Sequence, residues 1–130
     1  MNSSLTLLAR CLLASIFLIS GVRKVLAFSA VSGMMAGKGF PMPDVFLVLT
    51  IVLEIGGGLM LVANWQARWA ALALAAFTLV AGVIFHGFWH VWDAPPPQFN
   101  NELNHFLKNV AIVGGLLLVA ALPGSREQRA

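Results

Sequence analysis

The sequence predicts an all-α membrane protein, an antiparallel bundle of four transmembrane helices. Its 130 residues are 59% hydrophobic and only 10% charged, whereas a soluble domain carries about 25% charged residues. A spanning helix needs roughly 20 apolar residues, so four such segments use most of the chain. We therefore expect a single membrane domain over residues 1–130, without a separate soluble domain.

Four apolar segments divide the chain. We predict that they span the bilayer over about residues 5–28, 44–63, 68–89 and 102–122. Trp69 and Trp89 support the third span, because they are separated by roughly 30 Å along a helix. This distance matches the thickness of the hydrocarbon core and would place a tryptophan in each interface.

The connections between the spans contain helix-breaking residues. Residues 29–43 hold glycines and prolines around a semi-apolar middle, which predicts a short interfacial or re-entrant helix ending at Gly39. Asp44 is a natural N-cap for the second span. Asp93–Asn101, which contains Pro95–Pro97, is predicted to be a polar break before the fourth span that cannot remain helical.

The charge pattern and the cysteine content exclude several kinds of protein. The net charge is +3, but most basic residues lie at the edges of apolar segments, where membrane proteins carry them. They do not form the stripe expected of a nucleic-acid-binding protein. Cys11 is the only cysteine, which excludes an intramolecular disulfide and a cysteine-rich metal site. The expected partner is the lipid bilayer and not a nucleic acid.

Glu54 is the clearest candidate for a functional residue. It lies near the middle of the second span, with apolar residues for about two turns on either side. A carboxylate at that depth is costly. It must therefore be protonated, be paired, or face a wet cavity.

Other polar residues are predicted to lie in the same half of the bundle as Glu54. Lys24 ends the first span, His86 and His90 end the third, and His105, Lys108 and Asn109 begin the fourth. Lys24 shares a helix face with Arg10 and Phe17, so Lys24 is a better inward-facing candidate than Arg23. Lys24 or Lys108 would neutralise Glu54, either to fix the helix register or as part of a ligand site.

The positions of the histidines indicate hydrated side chains and not a metal site. His86 and His90 have the i, i+4 spacing of a metal-binding pair, with His105 near them. Both lie near the predicted interface, where histidine is commonly hydrated. No cysteine or carboxylate partner strengthens the case for a metal, so we predict none.

Several motifs in order resemble those of the DoxX family. Phe17–Lys24 is similar to its first-span signature, Gly39–Pro43 to its Gly-x-Pro connection, and Leu53–Leu59 to its second-span Leu-Glu-x-Gly-Gly-Gly motif. Phe85-His86 and Phe106–Leu116 resemble its third-span and fourth-span ends. The resemblance runs over about residues 5–122.

The resemblance implies a four-helix protein of the bacterial inner membrane. Members are commonly described as oxidoreductases, and the family name comes from subunits linked to quinone-dependent sulfur oxidation. The polar residues in matching motifs are the ligand-site candidates Lys24, Glu54, His86, Lys108 and Asn109. The third connection departs from the family pattern through Pro95–Pro97.

Three functions are compatible with the sequence. The first is a subunit or accessory of a quinone-linked membrane oxidoreductase, in which lysine and asparagine donate hydrogen bonds to a quinone and Glu54 exchanges protons. No flavin, haem or iron–sulfur motif is present, so electrons would come from a quinone or from a membrane or soluble redox partner. The second is a non-catalytic anchor or assembly subunit for a partner. The third is a carrier for a small solute or for protons.

The distribution of basic residues predicts the orientation. The N-terminus, the second connection and the C-terminus would share one side with Arg68, Arg126 and Arg129. If Lys24 and Lys108 belong to the internal cluster, that side has more loop charge than the other. The positive-inside rule then predicts that both termini lie in the cytoplasm.

Overall fold

The computed structural model describes residues 3–122, and these residues form five α-helices and one short 3₁₀ helix. The helices are α1 (Ser3–Leu26), α2 (Phe28–Gly37), α3 (Pro43–Ala63), α4 (Ala67–Phe85), the 3₁₀ helix (Phe88–Val91) and α5 (Pro96–Ala121). The helices α1, α3 and α5, and the stretch from α4 through the 3₁₀ helix, are long and apolar enough to cross a membrane. The prediction of an all-α protein with four membrane-spanning helices is confirmed.

Small residues allow the helices to pack closely. Helix α1 packs mainly against α3, α4 packs against α5, and α3 joins the two pairs through α4. A Cβ atom added at Gly58 would lie 2.8 Å from the side chain of Leu18, and one at Gly57 would lie 3.0 Å from Leu74. Backbones that approach to this extent gain the dispersion contacts that hold helices together in lipid.

Contacts between neighbouring helices occur in reverse order along the chain. Arg10 near the start of α1 contacts Leu61 near the end of α3, while Lys24 near the end of α1 contacts Glu54 earlier in α3. This is the pattern expected of antiparallel neighbours. The antiparallel arrangement of all four spans stays a prediction.

The first connection contains the short helix that the sequence predicted. Helix α2 ends at Gly37, and Gly39 follows with φ +90°. The prediction that Asp44 caps α3 is wrong, because α3 begins at Pro43 with Met42 as its N-cap residue. Asp44 lies in the first turn, where its carboxylate accepts a hydrogen bond from the Ser32 hydroxyl. This bond attaches α2 to α3.

Helix α4 ends at Phe85, four residues before the predicted end of the third span. The next residues leave the helical conformation, and Gly87 is extended. A Cβ atom at Gly87 would lie 2.9 Å from the side chains of both Trp89 and His90, so this sharp turn requires glycine. His86 and His90 therefore do not form an i, i+4 pair on one continuous helix.

Helix α5 begins earlier than predicted, within the proline run. Pro96 and Pro97 occupy its first turn, although the sequence analysis assigned the whole run to a non-helical break. The first backbone N–H groups of a helix have no intrahelical acceptor, so a proline there removes no hydrogen bond, and its fixed φ suits the helix. The non-helical prediction is wrong for residues 96–101.

Gly21 sets the distance between α1 and α3 beside the Lys24–Glu54 contact. A Cβ atom at Gly21 would lie 2.5 Å from Cγ1 of Ile55. We expect Gly21→Ala to destabilise the protein by about 1–3 kcal/mol, because overpacking forces neighbouring atoms to move. Thermal unfolding in detergent, followed by circular dichroism, measures this loss.

Gly56→Ala is the matched control for that prediction. Gly56 is also a helical glycine, but no atom lies within 4 Å of its added Cβ. Alanine has the higher helix propensity, so Gly56→Ala should leave the stability unchanged or raise it. Equal losses for both variants would contradict the role assigned to Gly21.

Candidate functional site

An ion pair between Lys24 and Glu54 joins α1 to α3. The Lys24 Nζ lies 2.5 Å from Oε1 of Glu54, and it also donates a hydrogen bond of 2.7 Å to Oγ of Ser20. Glu54 is 1% exposed. The prediction that Glu54 faces the bundle interior and pairs with a lysine is confirmed, and Lys24 is the lysine.

The second oxygen of Glu54 lacks a partner. Among the described residues, Oε2 of Glu54 is the buried side-chain oxygen or nitrogen that has no hydrogen bond. A buried polar atom left unpaired costs about 1–3 kcal/mol, or more when it carries charge. Such an atom fits a site where a ligand or a water molecule donates the missing hydrogen bond.

Glu54 and Lys24 line a cavity of about 370 Å³. All four spans and α2 contribute to its wall. Apart from a few polar groups the lining is apolar, with residues such as Phe17, Met35 and Phe77. A mostly apolar cavity with a small number of placed polar groups is typical of a small-molecule site.

Two polar side chains lie on the α4 and α5 wall of this cavity. The Thr78 hydroxyl donates to the Leu74 backbone carbonyl at 2.7 Å, so this hydroxyl is satisfied within α4. Asn109 Nδ2 donates a long hydrogen bond of 3.4 Å to the Thr78 carbonyl. The approach of Asn109 to α4 requires Gly82, where an added Cβ would lie 3.0 Å from Asn109 Nδ2.

His86 lines the cavity and contacts a carboxylate that the sequence analysis did not find. Its Nδ1 lies 3.4 Å from Oε2 of Glu102, and its ring stacks on His105 with centroids 4.7 Å apart. The statement that no carboxylate partners the histidines is wrong. Glu102 precedes His105 by three residues, so the two share a helix face, and that spacing was the available signal. Within residues 3–122, the acidic, histidine and cysteine side chains form no group of three that could hold a metal ion.

Comparison with known proteins places the chain in a family. The family model described as DoxX matches residues 5–87, which is more than half of the chain. The chain belongs to the DoxX family. The matched range includes three of the five predicted site residues, Lys24, Glu54 and His86, and every residue that lines the cavity except Asn109 and Ile112.

Two relatives of this DoxX-family chain come from Escherichia coli strain K12. The chain is 33% identical to inner membrane protein YphA over 116 residues, covering 89% of this chain and 81% of the relative. It is 34% identical to inner membrane protein YqjF over 116 residues, covering 88% and 80%. No solved structure matches the chain. The resemblance drawn from the motifs is confirmed.

Four of the five predicted site residues of this DoxX-family chain meet at the cavity. Lys24, Glu54, His86 and Asn109 line it, whereas Lys108 does not. The side chain of Lys108 is exposed, so the expectation that it joins the internal cluster is wrong. Lys108 and Asn109 are neighbours on α5 and point about 100° apart, and only Asn109 faces α4. The role of all five residues in binding a ligand stays a prediction.

The exposure of Lys108 also removes the charge bias that predicted the orientation. Arg10 is buried against α3 and Lys24 is paired. In the predicted antiparallel arrangement the remaining basic residues would number three on each side, Arg68, Arg126 and Arg129 against Arg23, Lys38 and Lys108. Arg126 and Arg129 lie outside the described residues 3–122. Cytoplasmic termini stay a prediction, and the activity of a periplasm-dependent alkaline phosphatase fused to the C-terminus tests it.

Helix α2 and the segment after it cover the end of the cavity. Met34 and Met35 of α2 line the cavity, and Met35 is buried. Phe40 stacks on Phe85 with the ring centroids 6.1 Å apart and the planes nearly parallel. Lys38 Nζ also lies 5.4 Å from the centre of the Phe85 ring, within the range of a cation–π interaction.

Proposed function

We propose that this chain is an inner-membrane protein that binds a quinone in the cavity, as a subunit or accessory of a membrane oxidoreductase. Glu54, which lines an otherwise apolar cavity and has an Oε2 without a hydrogen bond, carries this proposal most directly. A quinol hydroxyl would donate the missing hydrogen bond. The inner-membrane location follows the names of the two relatives.

The cavity residues have distinct parts in holding such a ligand. The Lys24 ammonium is a donor for a quinone carbonyl oxygen, and Asn109 Nδ2 is a second donor on the facing wall. Phe17, Phe77 and Met35 provide apolar surface for the ring. A bound quinone would supply two-electron redox chemistry, and a partner carrying a flavin, haem or iron–sulfur group would exchange the electrons with it.

Protons would reach the cavity through the polar residues at its end. Glu102 is partly exposed, and His86 contacts both Glu102 and the cavity. A histidine can take up a proton at one ring nitrogen and release one from the other. Glu54 would exchange one of the two protons that accompany the two-electron conversion between quinone and quinol, and the other would pass through His86, because both residues line the cavity.

The affinities for the reduced and oxidised ligand test this proposal. Glu54→Gln should weaken binding of ubiquinol-2 by about 10- to 100-fold, the equivalent of one charge-assisted hydrogen bond. Binding of the oxidised form, ubiquinone-2, should change much less, because its carbonyl oxygens donate nothing to Glu54. Equilibrium binding to the purified protein in detergent under anaerobic conditions measures both affinities.

Asp44→Asn is the matched control for the binding experiment. It neutralises another carboxylate on α3 and keeps a side-chain oxygen that can accept the hydrogen bond from Ser32, and Asp44 does not line the cavity. Both affinities should stay at the wild-type level. Failure of the wild-type protein to bind either form, or an equal loss of both forms in Glu54→Gln, would contradict quinone binding as proposed.

An anchor or assembly subunit is the second candidate function. The Lys24–Glu54 pair favours it, because this pair joins α1 to α3 whether or not a ligand is bound. Purification of the protein from native membranes distinguishes the redox function from the anchor function. Co-extracted quinone supports the redox function, whereas a stoichiometric partner in a preparation that binds no quinone supports the anchor. A carrier driven by protons on Glu54 would require neither.

A further inference from the structure

The wall of the cavity between α1 and α5 contains a partly exposed apolar side chain. Ile16 of α1 and Ile112 of α5 both line the cavity, and Ile16 is 37% exposed. One turn further from the cavity the two helices touch, since an added Cβ at Gly115 would lie 3.1 Å from Leu13. The helices therefore meet at Leu13 and Gly115, and the cavity begins where they separate.

The α3 and α4 walls of the cavity are more closed, whereas Met34 of α2 lines the cavity and is 52% exposed. Leu47 of α3 and Thr78 of α4 line the cavity and are buried. Helix α2 lies over the end, held to α3 by the hydrogen bond from Ser32 to Asp44. The stacking of Phe40 on Phe85 closes the same end further. Compared with the α3 and α4 walls, the side between α1 and α5 is thus the more open apolar route into the cavity at the level of Ile16.

The depth of this gap determines what lies outside it. Ile16 is near the middle of α1, with more than two turns of helix on either side. The bilayer at this level is hydrocarbon, where an unpaired polar group is unfavourable and an apolar chain is not. A gap flanked by Ile16, Ile112 and Phe77 offers an apolar chain contacts and no hydrogen-bonding groups.

We infer that the ligand enters sideways from the bilayer between α1 and α5 and is a lipid-soluble molecule with a polar ring and a long apolar tail. The ring reaches Lys24 and Glu54, and the tail lies in the gap and continues into the lipid. This inference rests on the proposed quinone site and adds the class of ligand, namely tailed membrane quinones in preference to water-soluble quinones.

A narrowed gap should discriminate between tailed and untailed ligands. Ile16→Trp places a larger side chain at the edge of the gap. We expect it to weaken binding of decylubiquinone by about tenfold or more, because the tail loses its apolar contacts. Binding of ubiquinone-0, which has the same ring without a tail, should stay close to wild type. Ile19→Trp is the matched control, since Ile19 is 60% exposed on the same helix and does not line the cavity.

The possible outcomes distinguish a failure of the proposed entry route from a failure of the proposed quinone site. Equal weakening of both ligands by Ile16→Trp, or no weakening of either, would overturn the route. Binding of neither ligand to the wild-type protein would overturn the proposed quinone function. In that case the proposed entry route between α1 and α5 is tested by a measurement that needs no ligand.

Spin labelling provides that measurement. Cys11 is the only cysteine, so Cys11→Ser allows a nitroxide to be attached at Ala81→Cys in the cavity wall or at Ile19→Cys on the lipid-facing surface. If the cavity opens to lipid, the label at position 81 in liposomes should be relaxed more by oxygen than by a water-soluble nickel chelate. The label at position 19 should show the same preference for oxygen. Stronger relaxation by the nickel chelate at 81 would show that the cavity opens to water and would overturn the route.

Discussion

Lys24→Met should lower the free energy of unfolding by about 3–5 kcal/mol, which is the usual loss when one partner of a buried ion pair is removed. Glu54 is almost completely buried, and its Oε1 depends on Lys24 while its Oε2 has no partner. Without Lys24 the carboxylate would be uncompensated in an apolar bundle. Unfolding in mixed micelles with increasing SDS, followed by circular dichroism, measures the change.

A double-mutant cycle shows that the loss arises from the pair. Glu54→Gln alone should also destabilise the protein, because it leaves the ammonium of Lys24 without its partner. Lys24→Met combined with Glu54→Gln should recover much of the loss of the first variant, since no buried charge then remains. Additive losses in the double variant would contradict the coupling.

Arg23→Met is the control for the loss of a cation. Arg23 is adjacent to Lys24 on α1, but its side chain is exposed. Its removal should change the stability by less than about 1 kcal/mol. A loss comparable to that of Lys24→Met would indicate that positive charge at the end of α1, and not the ion pair, stabilises the protein.

Arg10→Met should lower the free energy of unfolding by about 1.5–3 kcal/mol, the contribution of a hydrogen bond to a charged group. Arg10 is buried and donates to the Leu61 carbonyl at 3.0 Å and to the Val62 carbonyl at 3.5 Å. These carbonyls belong to the last turn of α3, which carries the negative end of the helix dipole. The Leu61 carbonyl also accepts a longer bond of 3.3 Å from the backbone N–H of Asn64.

Arg10→Lys separates the effect of charge from that of geometry. A lysine keeps the positive charge near the end of α3 but has no planar guanidinium to reach two carbonyl groups. We expect an intermediate loss in the same SDS unfolding experiment. Full stability in Arg10→Met would contradict a capping role for this residue.

The sequence was sufficient to predict the spans and the pairing of Glu54 with a lysine, Lys24 or Lys108, because both follow from the free energy of transfer into lipid. Glu54 had to find a partner at that depth, and the seven-residue spacing from Arg10 through Phe17 to Lys24 selected Lys24 over Arg23. All three residues of this face are packed against other helices, Lys24 through its bond to Glu54.

The predictions that were wrong concern positions that the periodic pattern of the sequence does not determine. Lys108 and Asn109 are adjacent on α5, and the sequence does not specify the rotation of α5 that turns Asn109 towards Gly82. The end of α4 depends on the packing of Trp89 and His90 against Gly87, which involves a turn rather than a periodic pattern. Glu102 was overlooked because its contact with His86 depends on that turn.

The cavity itself was beyond prediction from sequence. Its wall depends on where α1 and α5 separate, and this depends on the packing of Leu13 on Gly115. The hydrogen bond from Ser32 to Asp44, which places α2 over the end, joins residues twelve positions apart. A hydropathy pattern does not distinguish Leu13, Gly115, Ser32 and Asp44 from other residues of helices and connections.

The ion pair between the first and second spans also affects how the chain enters the membrane during synthesis. A translocon releases apolar segments into lipid one after another, and a carboxylate near the middle of a segment opposes release by about 2.5–3.5 kcal/mol. Lys24 is synthesised before Glu54 and lies on the preceding span. We therefore expect the two spans to leave the translocon together as a hairpin, with the first acting as an intramolecular chaperone for the second.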